Sequence, residues 1–201
     1  NRNILLKQNK PKEEIKTWDA PVAKYGTLLW LEKQQLQEKF NTTTLSVCKK
    51  YSNSIIIDVS TTSPKNPNEK EFLIELTKNS KKDAALRRTT VGPHTDKYII
   101  NFINKPLREF GSQGEHKLSF VLLKVAEHSF IEKETSKTPT LLLDDLFAKL
   151  DLGRGNAIFD LIKQSGQTII TNTDLIGAKN HGINTNNPNN KSIQLMRKWK
   201  N

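Results

Sequence analysis

A short apolar segment followed by two acidic residues is the clearest structural signal in this chain. Leu141, Leu142 and Leu143 run without a polar interruption, which is typical of a strand that a parallel sheet buries on both faces. Asp144 and Asp145 follow at its carboxyl end, the edge where open α/β sheets bind ligands. Two adjacent carboxylates there suit a magnesium-nucleotide site. The alternative is that Asp144 ends the strand and Asp145 caps a following helix.

The segments around this strand predict an α/β fold. Residues 115–134 form the best predicted helix, because five apolar residues recur at helical spacing, namely Leu118, Val121, Leu122, Val125 and Ala126. A second helix is predicted over residues 156–164 and a second buried strand over residues 167–171. Strand, helix and strand in so short a length imply a right-handed crossover and a parallel sheet.

The first half of the chain is predicted to be mainly helical. Residues 1–52 show an apolar stripe at helical spacing, and Pro21 and Gly26 are expected to kink or divide it. A strand is predicted over residues 54–60, a helix over 69–86 and a hairpin over 98–108 that turns around Asn104-Lys105. The apolar stripe comprises Ile15, Trp18, Val22, Tyr25, Leu28, Leu29, Leu36 and Phe40.

A glycine-flanked turn precedes the best helix. Gly111 and Gly114 enclose Ser112 and Gln113, and such a turn exposes backbone N–H groups and a hydroxyl at a helix N-terminus. This arrangement suits an anion such as a phosphate. The alternative interpretation is an ordinary serine cap of the helix.

Composition narrows the class of protein. The chain has 201 residues, 35% hydrophobic, and no apolar run long enough to span a membrane. Cys48 is the only cysteine, which predicts a small buried residue and a reducing, cytoplasmic location. The net charge of +11 favours a polyanionic partner such as nucleic acid, although lysine-rich surfaces also serve solubility.

The order of these segments resembles the second half of an ABC-type ATPase: signature motif, Walker B strand, D-loop and switch strand. Four segments closely resemble the bacterial RecF family of DNA repair proteins: GPHTD at 92–96, EFGSQGEHK at 109–117, LLLDDLFAKLD at 141–151 and TIITNTD at 168–174. The resemblance implies an α/β C-terminal lobe of an ABC-type ATPase head, with a parallel-sheet core and helices, over residues 91–201. A mainly helical arm domain would occupy residues 1–90.

The resemblance also implies roles for individual residues. Asp144 would hold magnesium through water, and Asp145 would be the catalytic acid that orients the attacking water. The remaining implied residues would contact ATP: Ser112, Gln113 and Gly114 as the signature loop facing the opposing subunit, Asp151 in the D-loop, and Asn172 or Thr173 at the switch.

The sequence departs from the family pattern at several positions. Thr95 and Lys117 stand where arginine is expected, and Ala148 replaces the usual D-loop serine. His94 is interpreted as structural, because no second His or Cys lies at metal-ligand spacing. The largest departure is that no Gly-x-x-x-x-Gly-Lys-Ser/Thr motif is present. These 201 residues alone are therefore predicted to show no ATPase activity.

The resemblance implies an ATP-dependent protein of recombinational repair and replication restart. ATP and magnesium would drive a homodimer onto duplex DNA near single-strand gaps, with slow hydrolysis releasing it. RecR and RecO would be protein partners, and no membrane would be involved. The alternative is a non-hydrolysing module of the same fold that scaffolds DNA or repair partners.

Overall fold

The computed structural model describes residues 1–146, 152–172, 179, 183–184 and 187–193. The chain divides into two compact units. The first unit contains residues 1–42 and 58–101, and the second contains residues 43–57 and 102–201. This division places residues 43–57 with the C-terminal part of the chain and residues 91–101 with the first unit, unlike the predicted domains of 1–90 and 91–201.

The first unit is mainly helical. Its elements are α1 (Arg2–Lys7), α2 (Lys12–Lys16), most of α3 (Asp19–Tyr51), α4 (Glu69–Lys78) and α5 (Ser80–Leu86), together with most of strands β1 (Ile57–Thr61) and β2 (Tyr98–Phe102). The strands β1 and β2 are antiparallel neighbours, because Thr62 N–H donates to the Lys97 carbonyl while Ile103 N–H donates to that of Ile56. The predicted helix over 69–86 is divided at Asn79.

Helix α3 runs without a break through both residues that were expected to divide it. Pro21 is the third helical residue, where the missing N–H costs nothing because the first turn has no intrahelical acceptor. Gly26 is explained by packing: a Cβ there would lie 2.5 Å from Cε1 of Phe72. The division instead falls at Thr17 and Trp18, between α2 and α3.

The apolar stripe predicted for α3 is wrong, because four of its members are exposed: Tyr25, Leu28, Leu29 and Leu36. The inward face instead carries Ala23, Thr27 and Trp30. Further along the same face, the amides of Gln37 and Asn41 each donate to the carbonyl of Val59 at 2.8 Å. Amide side chains that bind a strand backbone are invisible to a search for apolar periodicity.

A buried ionic network joins distant segments of the first unit. Arg2 is 4% exposed and donates to Asp19 Oδ1 and Asp83 Oδ2, both at 2.8 Å. Its guanidinium also donates to Thr89 Oγ1 at 2.7 Å. The other oxygen of Asp83 accepts from the N–H and hydroxyl of Thr90. A buried charge is tolerated when its polar partners are complete in this way.

The second unit carries the α/β part of the chain. After β2, Ile103 and Asn104 have φ of 48° and 62° and form the hairpin turn into β3 (Lys105–Pro106), one residue earlier than predicted. There follow α6 (Leu107–Phe110), α7 (Gln113–Thr135), β4 (Leu141–Leu143), α8 (Leu152–Ile162) and β5 (Thr168–Ile170). The five apolar residues predicted to form the inner face of α7 are all buried, and so is Cys48.

Strands β4 and β5 are parallel, as predicted, with Leu141, Leu142 and Leu143 opposite Thr168, Ile169 and Ile170. The prediction that β4 is buried on both faces is wrong, since Leu142 is 64% and Ile169 52% exposed. Helix α7 packs against β4, and the two exposed side chains lie side by side on the strands. One face of this two-stranded sheet is therefore apolar and open.

Candidate functional site

The candidate site lies at the carboxyl end of β4 and β5, where three polar residues meet. Parallel pairing places Thr171, which follows β5, beside Asp144 and Asp145, which follow β4. The Thr171 hydroxyl donates to Asp144 Oδ1, and Thr171 Oγ1 itself accepts from the Asp145 backbone N–H at 2.9 Å. One hydroxyl thus fixes the side chain of the first acid and the backbone of the second.

Asp145 has two features of a residue held for a purpose other than stability. Its φ is 46°, in the left-handed region that few residues other than glycine adopt. Its Oδ1 atom is buried and has no hydrogen-bond partner among the residues that the structure describes. Leaving a buried carboxylate oxygen unsatisfied costs folding free energy, on the order of 1–3 kcal/mol. Such strain and lost bonding are characteristic of binding and catalytic positions.

Lys117 connects this edge to helix α7. Its ammonium group donates to the backbone carbonyl of Asp145 at 2.7 Å. Helix α7 therefore helps to hold the left-handed backbone of Asp145, whose N–H is already bonded to Thr171. The sequence has lysine at this position where arginine was expected. A single carbonyl oxygen needs only one donor, and the lysine ammonium supplies it without the paired N–H groups of a guanidinium.

The glycine-flanked turn is a helix cap in this structure. Ser112 Oγ accepts from Glu115 N–H at 3.3 Å, and Ser112 N–H donates to the Glu115 carboxylate at 2.7 Å, which together form a capping box. These hydrogen bonds from the Ser112 backbone and side chain lower the pKa of Glu115. The interpretation of Ser112 as a helix cap is therefore correct, because its hydroxyl oxygen accepts the hydrogen bond from Glu115 N–H.

Capping leaves donors at this helix start. Gln113 and Gly114 occupy the first two helical positions, where backbone N–H groups have no intrahelical acceptor. Ser112 and Gln113 are exposed. Arg154 of α8 approaches closely, because a Cβ on Gly114 would lie 2.9 Å from its Nη1. The turn thus combines N–H donors, a hydroxyl and a nearby guanidinium, which suits an anion.

The oxygen donors at the strand ends fit a magnesium ion. Asp144 and Asp145 offer carboxylates and Thr171 a hydroxyl, and Asp145 Oδ1 has no hydrogen-bond partner among the described residues. Within the described parts of the chain no group of three or more His, Cys, Asp or Glu side chains forms a complete metal site. Magnesium in nucleotide sites is commonly held by one or two carboxylates with water and phosphate completing the shell.

Some predicted residues are less well defined. Asn172 is exposed at the same edge, one residue after Thr171. Asp151, Thr173 and Ala148 lie outside the described residues. An open cavity of about 330 Å³ borders Gly111 and Glu115, but Asp144 and Asp145 do not line it. Sequence reasoning missed Thr171 and Arg154, although Thr171 is the last residue of a predicted parallel strand and that position is itself a signal.

The GPHTD segment is built around its aspartate. Asp96 Oδ2 accepts from Trp30 Nε1 at 3.0 Å and from Lys33 Nζ and Ser63 Oγ at 2.8 Å. Burial alone lowers the pKa of Lys33, but its hydrogen bond and ion pair with Asp96 outweigh burial and raise the pKa. Thr95 donates to the Gly92 carbonyl.

His94 Nε2 bonds to the carbonyl of Thr89 at 2.9 Å, in agreement with its structural interpretation. The GPHTD segment therefore organises the first unit, and the donors that surround Asp96 occupy the carboxylate without leaving a ligand site among the described residues.

Comparison with known proteins gives a consistent family. No family model matches the chain. It is 34% identical over 186 residues to the DNA replication and repair protein RecF of Clostridium botulinum (strain Okra / Type B1), covering 87% of this chain and 49% of the relative. It is 33% identical over 193 residues to the RecF protein of Lachnoclostridium phytofermentans, covering 92% and 52%. The chain thus spans about half the length of these curated relatives.

Solved structures agree with the sequence comparison. The recombination mediator protein RecF of the RecFOR pathway, in the form designated RecF-ATP, superposes with a TM-score of 0.70 at 26% identity, over 87% of this chain and 50% of that one. The form designated RecF-ATPγS gives a TM-score of 0.67 at the same identity and coverage. These likenesses confirm the predicted fold class, the α/β C-terminal lobe of an ABC-type ATPase head with a helical arm. Within the described residues, no helix is long and apolar enough to cross a membrane.

Proposed function

This chain belongs to the RecF family and corresponds to the C-terminal portion of its members, and from that premise we propose that the complete protein is a RecF-like recombination mediator that binds and slowly hydrolyses ATP. The observation that carries the proposal is the edge where Asp144, Asp145 and Thr171 meet, reached by Lys117 from α7. It offers two carboxylates and a hydroxyl at the carboxyl ends of parallel strands, where open α/β sheets bind ligands.

The two acids have different roles in this proposal. Asp144, exposed and braced by the Thr171 hydroxyl, holds the water shell of magnesium, which neutralises the phosphates when bound. Asp145 orients the attacking water or accepts its proton, because its unpartnered oxygen is free to accept a hydrogen bond. Phosphoryl transfer depends mainly on such positioning and on charge stabilisation.

The signature loop completes the site from a second protomer. Gln113 and Gly114 present free N–H groups at the start of α7, with Ser112 and Arg154 adjacent. In the proposal these donors contact the γ-phosphate of ATP held by the partner, so that ATP binding assembles the homodimer. The same proposal assigns ATP contacts to Asn172 or Thr173 of the switch and to Asp151 of the D-loop, of which only Asn172 is among the described residues.

The partners proposed for the complete protein are DNA, RecR and RecO. The curated relatives are DNA replication and repair proteins, and the solved relative belongs to the RecFOR pathway. The net charge of +11 favours a polyanionic partner. Duplex DNA near single-strand gaps is the proposed substrate, and ATP-driven closure of the dimer holds it.

The test uses the complete protein and this chain in parallel. The complete protein is expected to sediment as a dimer and bind duplex DNA only with ATP, whereas residues 1–201 alone release no phosphate. Ser112→Arg should prevent the ATP-dependent dimer by blocking the anion site, and Ser136→Arg, an exposed serine near the other end of α7, is the matched control. Sedimentation of the complete protein that is unchanged by ATP would contradict the proposal. So would phosphate release by residues 1–201 that disappears in Asp144→Asn.

A second candidate function rests on the missing phosphate loop. Without that motif the chain could act as a non-hydrolysing scaffold for DNA or repair partners. The discriminating experiment is nucleotide binding by the complete protein, since a scaffold would bind its partners with the same affinity in the presence and absence of ATP.

A further inference from the structure

Four exposed basic residues lie close together in the sequence at helix α5 and its C-terminal end. Lys81 and Lys82 lie on α5, Arg87 is its C-cap, and Arg88 follows. All four are exposed. We refer to these four residues as the α5 basic cluster.

The only acidic residue in this stretch is turned inward. Asp83 is fully buried, and its carboxylate is occupied by Arg2 and Thr90. The burial of Asp83 removes the one negative charge that could neutralise the neighbouring lysines. From residue 78 to residue 88 the outward-facing charges are therefore all positive.

Two exposed lysines elsewhere in the chain pair locally with acids. Lys124 bonds to Glu127 at 2.6 Å and Lys163 to Asp160 at 2.7 Å, each three residues apart on a helix. The members of the α5 basic cluster form no such ion pair with a described residue. Charges left unpaired at this density repel one another, so their arrangement favours an external polyanion over a solvated face.

The backbone that carries the α5 basic cluster is held in place by buried ion pairs and hydrogen bonds. The buried network of Arg2 anchors α5 through Asp83 to α1 and α3, and backbone N–H groups of Arg87 and Arg88 bond to the carbonyls of Ala84 and Asp83. A seven-residue helix spans about 10 Å, which matches the rise of about three successive phosphates of one DNA strand along the duplex axis, at about 3.4 Å each.

We propose that the α5 basic cluster is a contact surface for the phosphate backbone of duplex DNA. The inference rests on the proposed function, because it assigns the DNA contact of the complete protein to four named residues. The contact is made to phosphates and carries no base recognition, since lysine and arginine side chains on a helix end act there as point charges.

The experiment measures DNA binding by the complete protein with ATP, using a fluorescein-labelled duplex of arbitrary sequence over a range of salt concentrations. The variant carries Lys81→Gln, Lys82→Gln, Arg87→Gln and Arg88→Gln. The matched control removes the same charge from four exposed lysines of the second unit, through Lys49→Gln, Lys50→Gln, Lys133→Gln and Lys137→Gln. Thermal denaturation verifies that both variants are folded.

The cluster variant is expected to bind at least about tenfold more weakly, and its plot of log affinity against log salt should flatten by about three to four. The control should keep nearly the wild-type slope. Equal DNA affinity and equal salt slope for the two variants would overturn the inference while leaving the proposed function intact. That result is expected if the cluster binds an acidic protein instead of DNA. A wild-type protein that binds no duplex with ATP overturns both.

Discussion

Each unit of this protein places two aspartates close to one another, and the pairs behave in opposite ways. In the first unit Asp19 and Asp83 flank the buried Arg2, with side chains 8% and 0% exposed and every charge paired. In the second unit Asp144 is exposed and Asp145 keeps a buried oxygen without a partner. Complete pairing identifies acids that stabilise the fold, and incomplete pairing identifies acids available for chemistry.

The largest effect is expected at the structural pair. Asp83→Ala leaves Arg2 buried with an incomplete set of partners and should lower the free energy of unfolding by about 3–5 kcal/mol, measured by urea denaturation. Asp160→Ala removes an exposed ion pair with Lys163 and should cost at most about 1 kcal/mol. Similar losses of unfolding free energy in the two variants would show that the buried pairing of Asp83 stabilises the fold no more than an exposed ion pair does.

Asp145→Asn should show the reverse pattern. Because the carboxylate makes no stabilising hydrogen bond through Oδ1, the free energy of unfolding should change by less than about 1 kcal/mol. ATP hydrolysis by the complete protein should fall about a hundredfold, the usual contribution of a positioned general base. Steady-state phosphate release with matched denaturation curves measures both quantities, and a large loss of stability with normal turnover would contradict the assignment.

A smaller effect is expected when the brace between the two strand ends is removed. Thr171→Val keeps the side-chain shape but leaves Asp145 N–H without its acceptor and Asp144 without its donor. Hydrolysis by the complete protein should fall about tenfold and stability by about 1–2 kcal/mol. Thr171→Ser keeps the hydroxyl and should restore most of the activity, so equal activity in both variants would rule out positioning by this group.

The smallest effect concerns the cap of α7 and its dependence on pH. Hydrogen bonds from Ser112 lower the pKa of Glu115 below that of the unfolded chain, so the capping contribution is present above the ordinary glutamate pKa and is lost as the pH falls through the folded value. Glu115→Gln should abolish this part of the acid sensitivity. Amide hydrogen exchange at the start of α7, compared between the two proteins across acidic pH, measures it.

Local patterns were sufficient to predict α7, β4 and β5 and most of α8 in the second unit, but not the short helix α6. The inner face of α7, the parallel pairing of β4 with β5 and the position of Asp144 and Asp145 at its carboxyl edge all follow from periodicity and chain order. The serine cap at Ser112 was among the interpretations of the sequence, but its reciprocal partner Glu115 was not, although a serine followed three residues later by glutamate is a local signal.

The remaining features depend on contacts between distant residues. Arg2 and Asp83 are 81 residues apart, and no pattern in either segment indicates the other. The inward face of α3 was missed because amides and small residues form much of it. Leu142 is exposed because apolar character gives the preference of a side chain and not its actual environment. The hydrogen bonds that Lys117 and Thr171 make to Asp145 required coordinates.

The left-handed backbone at Asp145 has a consequence for which acid can stand there. Aspartate and asparagine adopt positive φ more readily than longer or branched residues, because their short polar side chains can bond to nearby backbone. A glutamate at this position would gain reach but lose this local preference, at about 1 kcal/mol of backbone energy. The geometry of one peptide unit thus accounts for the shorter acid at the position proposed to orient water.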